Sequence, residues 1–373
     1  MERILKYLNL PDPLKMNDGA PVTKENWPER QKEILDILQE HMFGYFPEKT
    51  AKLAGCEVLH HEEIYGGSVD FTLYKVNYTF PTGEASLEVP VFLPIGVENP
   101  PCVVSLGGGR RAFENRNNPG PFSYYPPEYV FKHGVAVVFS PVMDATTDDG
   151  DFTTGIGPFV YPNGRKDTDG GKLVLWGVAT SMVADFVLSL GKIDAKNLGV
   201  AGCSRLGKGA LAAGLYDERF QFINSVCSGC GGTAILRGKV GETVGSIMNY
   251  APFWFSENFR KFSDCEETMP FDAHFIIAAL APRKVLLTGA IEDFWCDPYM
   301  EMVAAIAAGK TYEMLGLPGF IYDGPYPVPG ARYPVPGDFF QQGSIGFSLR
   351  SGGHGFPAYD WERIADFLVS HKN

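Results

Sequence analysis

Ser204 stands in the run Gly202-Cys203-Ser204-Arg205-Leu206-Gly207-Lys208-Gly209, directly after the apolar stretch Asn197-Leu198-Gly199-Val200-Ala201 and before Ala210-Leu211-Ala212-Ala213-Gly214. This order predicts a strand that turns sharply at the serine and enters a helix. Such a turn lifts the hydroxyl clear of a sheet and aims the next N–H, that of Arg205, at the place where an oxyanion would form. The chemistry implied is nucleophilic attack on a carbonyl. It needs a base to take the serine proton and an acid to orient that base.

Histidines number seven, which narrows the search for the base. His41 falls in a helix pattern, His60 and His61 in an early β region, His133 before a strand, and His371 at the terminus. His274, in Phe271-Asp272-Ala273-His274, lies near a helix start as a structural or cleft residue and counts among the substrate-binding candidates. His354, in Ser351-Gly352-Gly353-His354-Gly355, follows the last strand pattern and precedes the final helix pattern, Trp361 to Val369. In the α/β-hydrolase order the base comes last, on such a loop, where glycines permit tight turns. The acid is expected after the strand Val285–Ile291, in Glu292-Asp293-Phe294-Trp295-Cys296-Asp297-Pro298. Three carboxylates compete there, in the order Asp293, Glu292, Asp297. Adjacent side chains diverge, so at most one of the first two can orient His354.

The elements that must hold these residues are legible as periodicities. Lys24 to Phe46 carries a helical stripe of Trp27, Ile34, Leu35, Ile37 and Leu38, stopped by Gly44 and Pro47. From about Cys56 to Leu93 the chain reads as β, with extended runs 69–76 and 85–93 around Pro81-Thr82-Gly83. Short apolar runs then alternate with helical segments: Cys102 to Leu106, Val135 to Ser140, Leu198 to Ala201, Phe222 to Val226, Val285 to Thr288 and Ile345 to Leu349. Strands buried on both faces have this composition. The expectation is an α/β-hydrolase fold, a mostly parallel sheet covered by helices on both faces, with a helical and antiparallel β lead-in. One domain over 1–373 is expected, residues 1–55 forming a helical extension and 56–373 the hydrolase core. Residues 316–337, rich in Pro, Gly and Tyr, read as a long surface loop beside the presumed histidine loop, placed to shape a cleft.

Composition sets outer bounds. The net charge of −12 and a pI near 5.1 argue against binding nucleic acid or an anionic membrane as the main task. The N-terminus has no apolar leader segment, and no run elsewhere approaches a membrane span, which gives a cytoplasmic expectation unless a leader has been removed. Seven scattered cysteines suggest reduced thiols. Cys227-Ser228-Gly229-Cys230 is a lone C-x-x-C with no second pair or nearby histidine, so buried or loop thiols are expected rather than a zinc or redox centre.

The run from Gly202 to Ala210 resembles the nucleophile motif of the glucuronoyl esterases, carbohydrate esterase family 15. The simpler Gly-x-Ser-x-Gly pattern is not met, because Leu206 occupies its second glycine. The resemblance continues through Trp176-Gly177, Phe271–His274 with Ala281-Pro282-Arg283, and Gly346–Arg350 leading to His354 and Asp360-Trp361, covering roughly 100–373. It implies that Ser204 is the nucleophile and His354 the base, that Arg205 adds its guanidinium to the oxyanion hole, that Lys208 points to sugar hydroxyls and that Trp295 lines the sugar site. A cation beside a developing alkoxide is chemically apt on its own account. One departure stands out. In many members the acid is a glutamate after the strand following the elbow helix, and here that position is Cys227. A thiol cannot partner an imidazolium unless ionised. Some relatives carry the acid after the later strand, which agrees with Asp293.

Gly107-Gly108-Gly109-Arg110-Arg111, after the 102–106 run, offers a second backbone N–H for the oxyanion and two cations, Arg110 and Arg111, for a substrate carboxylate. The sequence therefore points to a serine esterase acting on a sugar or uronic acid ester, with no metal or organic cofactor and a small-molecule or oligosaccharide ester as its partner. A sugar deacetylase such as an acetyl xylan esterase is the second reading. A hydrolase-fold protein that binds carbohydrate without turnover is the third, resting on Cys227.

Overall fold

Alternation along the short apolar runs divides their side chains between two packed faces. The computed structural model describes residues 7–108, 114, 125–322 and 333–372. Its strands are β1 (Lys52–Ile64), β2 (Val69–Phe80), β3 (Gly83–Pro94), β4 (Cys102–Leu106), β5 (Ala136–Ser140), β6 (Leu198–Cys203), β7 (Phe222–Val226), β8 (Lys284–Ala290), β9 (Phe339–Phe340) and β10 (Ile345–Arg350). They form one sheet in the order β1-β2-β3-β5-β4-β6-β7-β8-β10-β9. Strands β5, β4, β6, β7, β8 and β10 run parallel, while β1 to β3 form an antiparallel lead-in and β9 a short antiparallel edge. This is the α/β-hydrolase architecture, and each predicted strand appears within a few residues of its expected bounds.

Val104, Val138 and Val200 pack on one face of the sheet, and their neighbours Val103, Val137 and Ala201 on the other. Helix α1 (Trp27–Leu38) extends through a wider turn, Gln39–Phe43, to Gly44. Gly44 has φ 81°, and a Cβ there would lie 2.2 Å from the Asp169 carbonyl oxygen, so only glycine ends the helix this way. The first face is covered chiefly by α2 (Lys172–Ser189), α3 (Arg205–Tyr216), α4 (Val244–Tyr250), α5 (Ala273–Ala279) and α6 (Pro298–Met314), and the second by α7 (Ala358–His371).

Helix α2 corrects one expectation. It is long and apolar enough by composition to cross a membrane, yet 83% of it is buried inside the protein. Its apolar character all round is that of a core helix packed on several sides. Against α3 it packs closely: a Cβ on Gly177 would stand 3.2 Å from the Ala213 backbone nitrogen.

Candidate active site

The parallel strands deliver the candidate residues to one edge of the sheet. Ser204 follows β6 with φ 60° and ψ −128°, a strained conformation for a residue with a Cβ, and its N–H donates to the Val226 carbonyl at 2.8 Å. The next backbone step, Cys227 after β7, also has positive φ, 45°, and donates to the Thr288 carbonyl of β8 at 2.8 Å. The turn at Ser204 requires α3 to begin almost against β6. A Cβ on Gly202 would lie 2.1 Å from the Leu206 carbonyl oxygen, and one on Gly207 would lie 3.1 Å from the carbonyl oxygens of Gly202 and Val226. The close approach is thus made at 202 and 207, which explains why Leu206 is tolerated where a simpler elbow has glycine. As the first residue of α3, Arg205 has no intrahelical carbonyl for its N–H.

His354 is held by an unusual clamp. Arg350, at the end of β10, donates from Nη1 to the carbonyls of Ser351 (3.2 Å) and Gly353 (2.9 Å), and from Nη2 to that of Gly355 (2.9 Å). Its Nε donates to buried Asp360 of α7 at 3.0 Å. Phe356 stacks on the buried Trp361 at 4.7 Å, fixing the far end of the loop. The Cys203 thiol donates to the Gly355 carbonyl at 3.2 Å, so the serine turn and the histidine loop are in direct contact through the neighbours of Ser204 and His354.

Among the three acids, Asp293 meets the imidazole. Its Oδ2 lies 2.7 Å from His354 Nδ1, while its Oδ1 accepts from the Cys296 N–H at 3.3 Å. Burial raises the Asp293 carboxyl, but the hydrogen bond and charge of His354, with the Cys296 contacts, outweigh it and hold the group below its ordinary value. The acid is ionised and acceptor-only, so Nδ1 carries the proton and Nε2 is the basic nitrogen. Glu292 is exposed. Asp297 caps α6, accepting from the Met300 and Val240 N–H groups. Cys227 is fully buried, and burial pushes its thiol well above the ordinary value, so it stays neutral and cannot act as the acid.

A polar chain that sequence reasoning missed runs beside Ser204. Arg205 Nε lies 2.7 Å from Asp148 Oδ2, an ion pair by distance whose N–H is not aligned for a hydrogen bond. The other oxygen of Asp148 accepts from Trp254 Nε1 at 2.6 Å. Lys208 Nζ sits 5.5 Å from the Trp254 ring centroid and 3.8 Å from Glu242 Oε2. Glu242 accepts from Trp295 Nε1 at 3.1 Å and from the Tyr250 hydroxyl. Lys208 is buried at 3% exposure, whereas Trp295 is 53% exposed and offers a face to solvent. Asp148 lies in the acidic loop Thr146–Asp151 after β5, a position at a strand's C-terminal end that could have drawn notice. Glu242, Tyr250 and Trp254 carry no local signal.

One expectation fails to reach the site. His274 is 1% exposed and its Nε2 lies 2.9 Å from the Pro11 carbonyl, so it is a core residue binding the N-terminal segment and not a substrate contact. The Gly107 N–H is taken by the Ser140 carbonyl at 2.9 Å, so it is no oxyanion donor. Arg110 and Arg111 lie outside the described residues, as does 323–332 of the Tyr/Pro loop. The end of that loop returns at Tyr333, whose ring packs 5.3 Å from Tyr299 in the first turn of α6.

Comparisons with known proteins bear on the family and the fold. The family model described as fungal glucuronyl esterase matches residues 80–316. The carbohydrate esterase MZ0003, from an unknown prokaryotic organism, is 29% identical, the match covering 99% of this chain and 90% of that protein. A 4-O-methyl-glucuronoyl methylesterase from Schizophyllum commune is 28% identical over 83% of this chain and 74% of its own length. Among solved structures, a glucuronoyl esterase from Solibacter usitatus superposes with a TM-score of 0.85 at 27% identity, covering 98% of each chain.

Proposed function

The chain belongs to the glucuronoyl esterase family and hydrolyses carbohydrate esters; from that premise we propose that Ser204, His354 and Asp293 carry the reaction and that the acyl group is a uronic acid. The observation that carries the proposal is the 2.7 Å contact between ionised Asp293 and His354 Nδ1, on a loop joined to the serine turn.

His354 Nε2 takes the Ser204 proton as the oxygen attacks the ester carbonyl. Asp293 balances the imidazolium that forms. The Arg205 N–H and its Nη donors meet the oxyanion, with Nε left to Asp148. Collapse of the tetrahedral species expels the alcohol, which receives the proton from His354. Water, activated by the same nitrogen, then releases the uronic acid and restores Ser204.

The polar wall of Lys208, Glu242 and Trp295 supports a hydroxyl-rich acyl group. A buried ammonium and carboxylate offer donors and acceptors to sugar hydroxyls, and the exposed indole offers a flat face to a ring. An acetyl group would use none of these. Labelling by a serine-reactive phosphonate, lost in Ser204→Ala, tests the nucleophile. A side-by-side assay of benzyl glucuronate, methyl galacturonate and acetylated xylose tests the acyl group: glucuronate is expected to be fastest, and faster release from acetylated xylose would overturn the uronate assignment.

A further inference from the structure

The fold brings into the catalytic neighbourhood a thiol that the esterase reaction does not use. Cys227 Sγ, a carboxylate oxygen of Asp293 and a ring nitrogen of His354 all lie within 4.8 Å of one another. A second thiol, Cys296 Sγ, stands 3.6 Å from His354 Nδ1 and donates to the Cys227 carbonyl at 3.1 Å. We infer that Cys227, Asp293 and His354 form a binding site for a thiophilic divalent cation, zinc or cadmium, and that its occupancy switches the esterase off.

Sulfur, nitrogen and carboxylate oxygen are the donor types zinc takes. With bonds of about 2.3 Å to sulfur and about 2.0 Å to nitrogen or oxygen, tetrahedral ligands stand about 3.3 to 3.5 Å apart. The 2.7 Å gap between Asp293 and His354 and the 4.8 Å limit on the set bracket that spacing. Small side-chain adjustments therefore close the shell. The fourth position falls to water or to Cys296, whose 3.6 Å separation from Nδ1 already matches a sulfur–nitrogen edge.

Charge also fits. A thiolate, a carboxylate and a neutral imidazole balance a divalent ion. Arg350 opposes, with Nη2 3.9 Å from Cys227 Sγ, but that guanidinium is committed to Asp360 and the loop carbonyls. Binding replaces the thiol proton by the metal and sends that proton to solvent, because a coordinating thiol is deprotonated by the ion. At His354, the metal takes Nδ1 and its proton moves to Nε2. The nitrogen that would accept the serine proton then carries one already, so attack stops without any bond to Ser204.

The test is a titration of the purified enzyme with zinc and with cadmium, read in two ways. Ester hydrolysis is expected to fall saturably and to recover with a chelator. Cadmium without substrate is expected to give a thiolate charge-transfer band at one equivalent. Cys227→Ser should keep its metal-free rate, lose that band and need roughly 100-fold more metal for half inhibition. Cys230→Ser, altered outside the donor set, should behave as the parent and serves as the folding control. Equal inhibition of Cys227→Ser and the parent, or cadmium binding with no thiolate band, would overturn the assignment. The spectral reading needs no ester, so its failure is distinguishable from failure of the proposed reaction.

Discussion

Asp148 Oδ2 lies 2.7 Å from Arg205 Nε, so a carboxylate on the loop after β5 restrains the guanidinium beside the proposed nucleophile. The same carboxylate binds the Trp254 indole, over whose ring Lys208 lies. The proposed oxyanion donor and the proposed sugar contact thus share one support. Asp148→Asn is expected to lower kcat roughly 10- to 100-fold with little change in KM, short of the about 10²- to 10³-fold cost of removing an oxyanion donor outright. Steady-state kinetics on a glucuronate ester check this. A rise in KM alone would mean that Asp148 serves ground-state binding.

The three acids of the 292–297 loop separate cleanly. Asp293→Asn should cost on the order of 10⁴-fold in kcat, as expected when a base loses the group that fixes its tautomer. Glu292→Gln should leave the rate intact, since that side chain is exposed. Asp297→Asn should keep the rate while lowering stability by about 1 kcal/mol or less, because it alters a helix cap. Activity retained in Asp293→Asn would remove the proposed acid.

Glu242 is buried and joins Lys208, Trp295 and Tyr250. Glu242→Gln should raise KM for benzyl glucuronate roughly 10-fold or more, the range for a lost charge-assisted hydrogen bond. The rate on a simple acetyl ester should not change. Parallel losses on both esters would point to a collapsed site.

Glu301 in α6 is buried, and its Oε1 accepts from the N–H groups of Ser228 and Gly229 and from the Thr233 hydroxyl. Burial pushes its carboxyl from 4.5 up to about 7, against those hydrogen bonds. In that interval the folded protein holds a proton the unfolded chain has released. The stability this contributes is full below 4.5 and is lost as pH rises through about 7. Urea unfolding across this range should show that slope, and Glu301→Gln should flatten it. An unchanged slope would assign the pH dependence elsewhere.

Much of this was legible in local pattern. The buried strands announced themselves as apolar runs, and Gly202-x-Ser204 between one such run and a helix pattern marked the turn. Chain order pointed to His354 among seven histidines, and the loop after β8 held the proposed acid. His274 misled because its helix-start position suits a cleft as well as a core, and its burial beside the Pro11 carbonyl decides between them. The 172–189 segment runs against expectation in the other direction: it is apolar enough for a bilayer, and the fold buries it within a multilayer core.

The sequence alone determined the alternation of strands and helices and the serine turn, and it pointed to His354 as the proposed base, because these follow from local pattern and from order along the chain. Tertiary structure decided which of three acids meets His354, that Asp148 restrains Arg205, that Glu242 joins Lys208 to Trp295, and that Cys227 has a histidine beside it despite none nearby in sequence. Those outcomes depend on where β5, β7, β8 and β10 end in space. Parallel strands distant in sequence deliver their loops to one edge, and hydrogen bonds a few ångströms long are set by that convergence and by no local pattern.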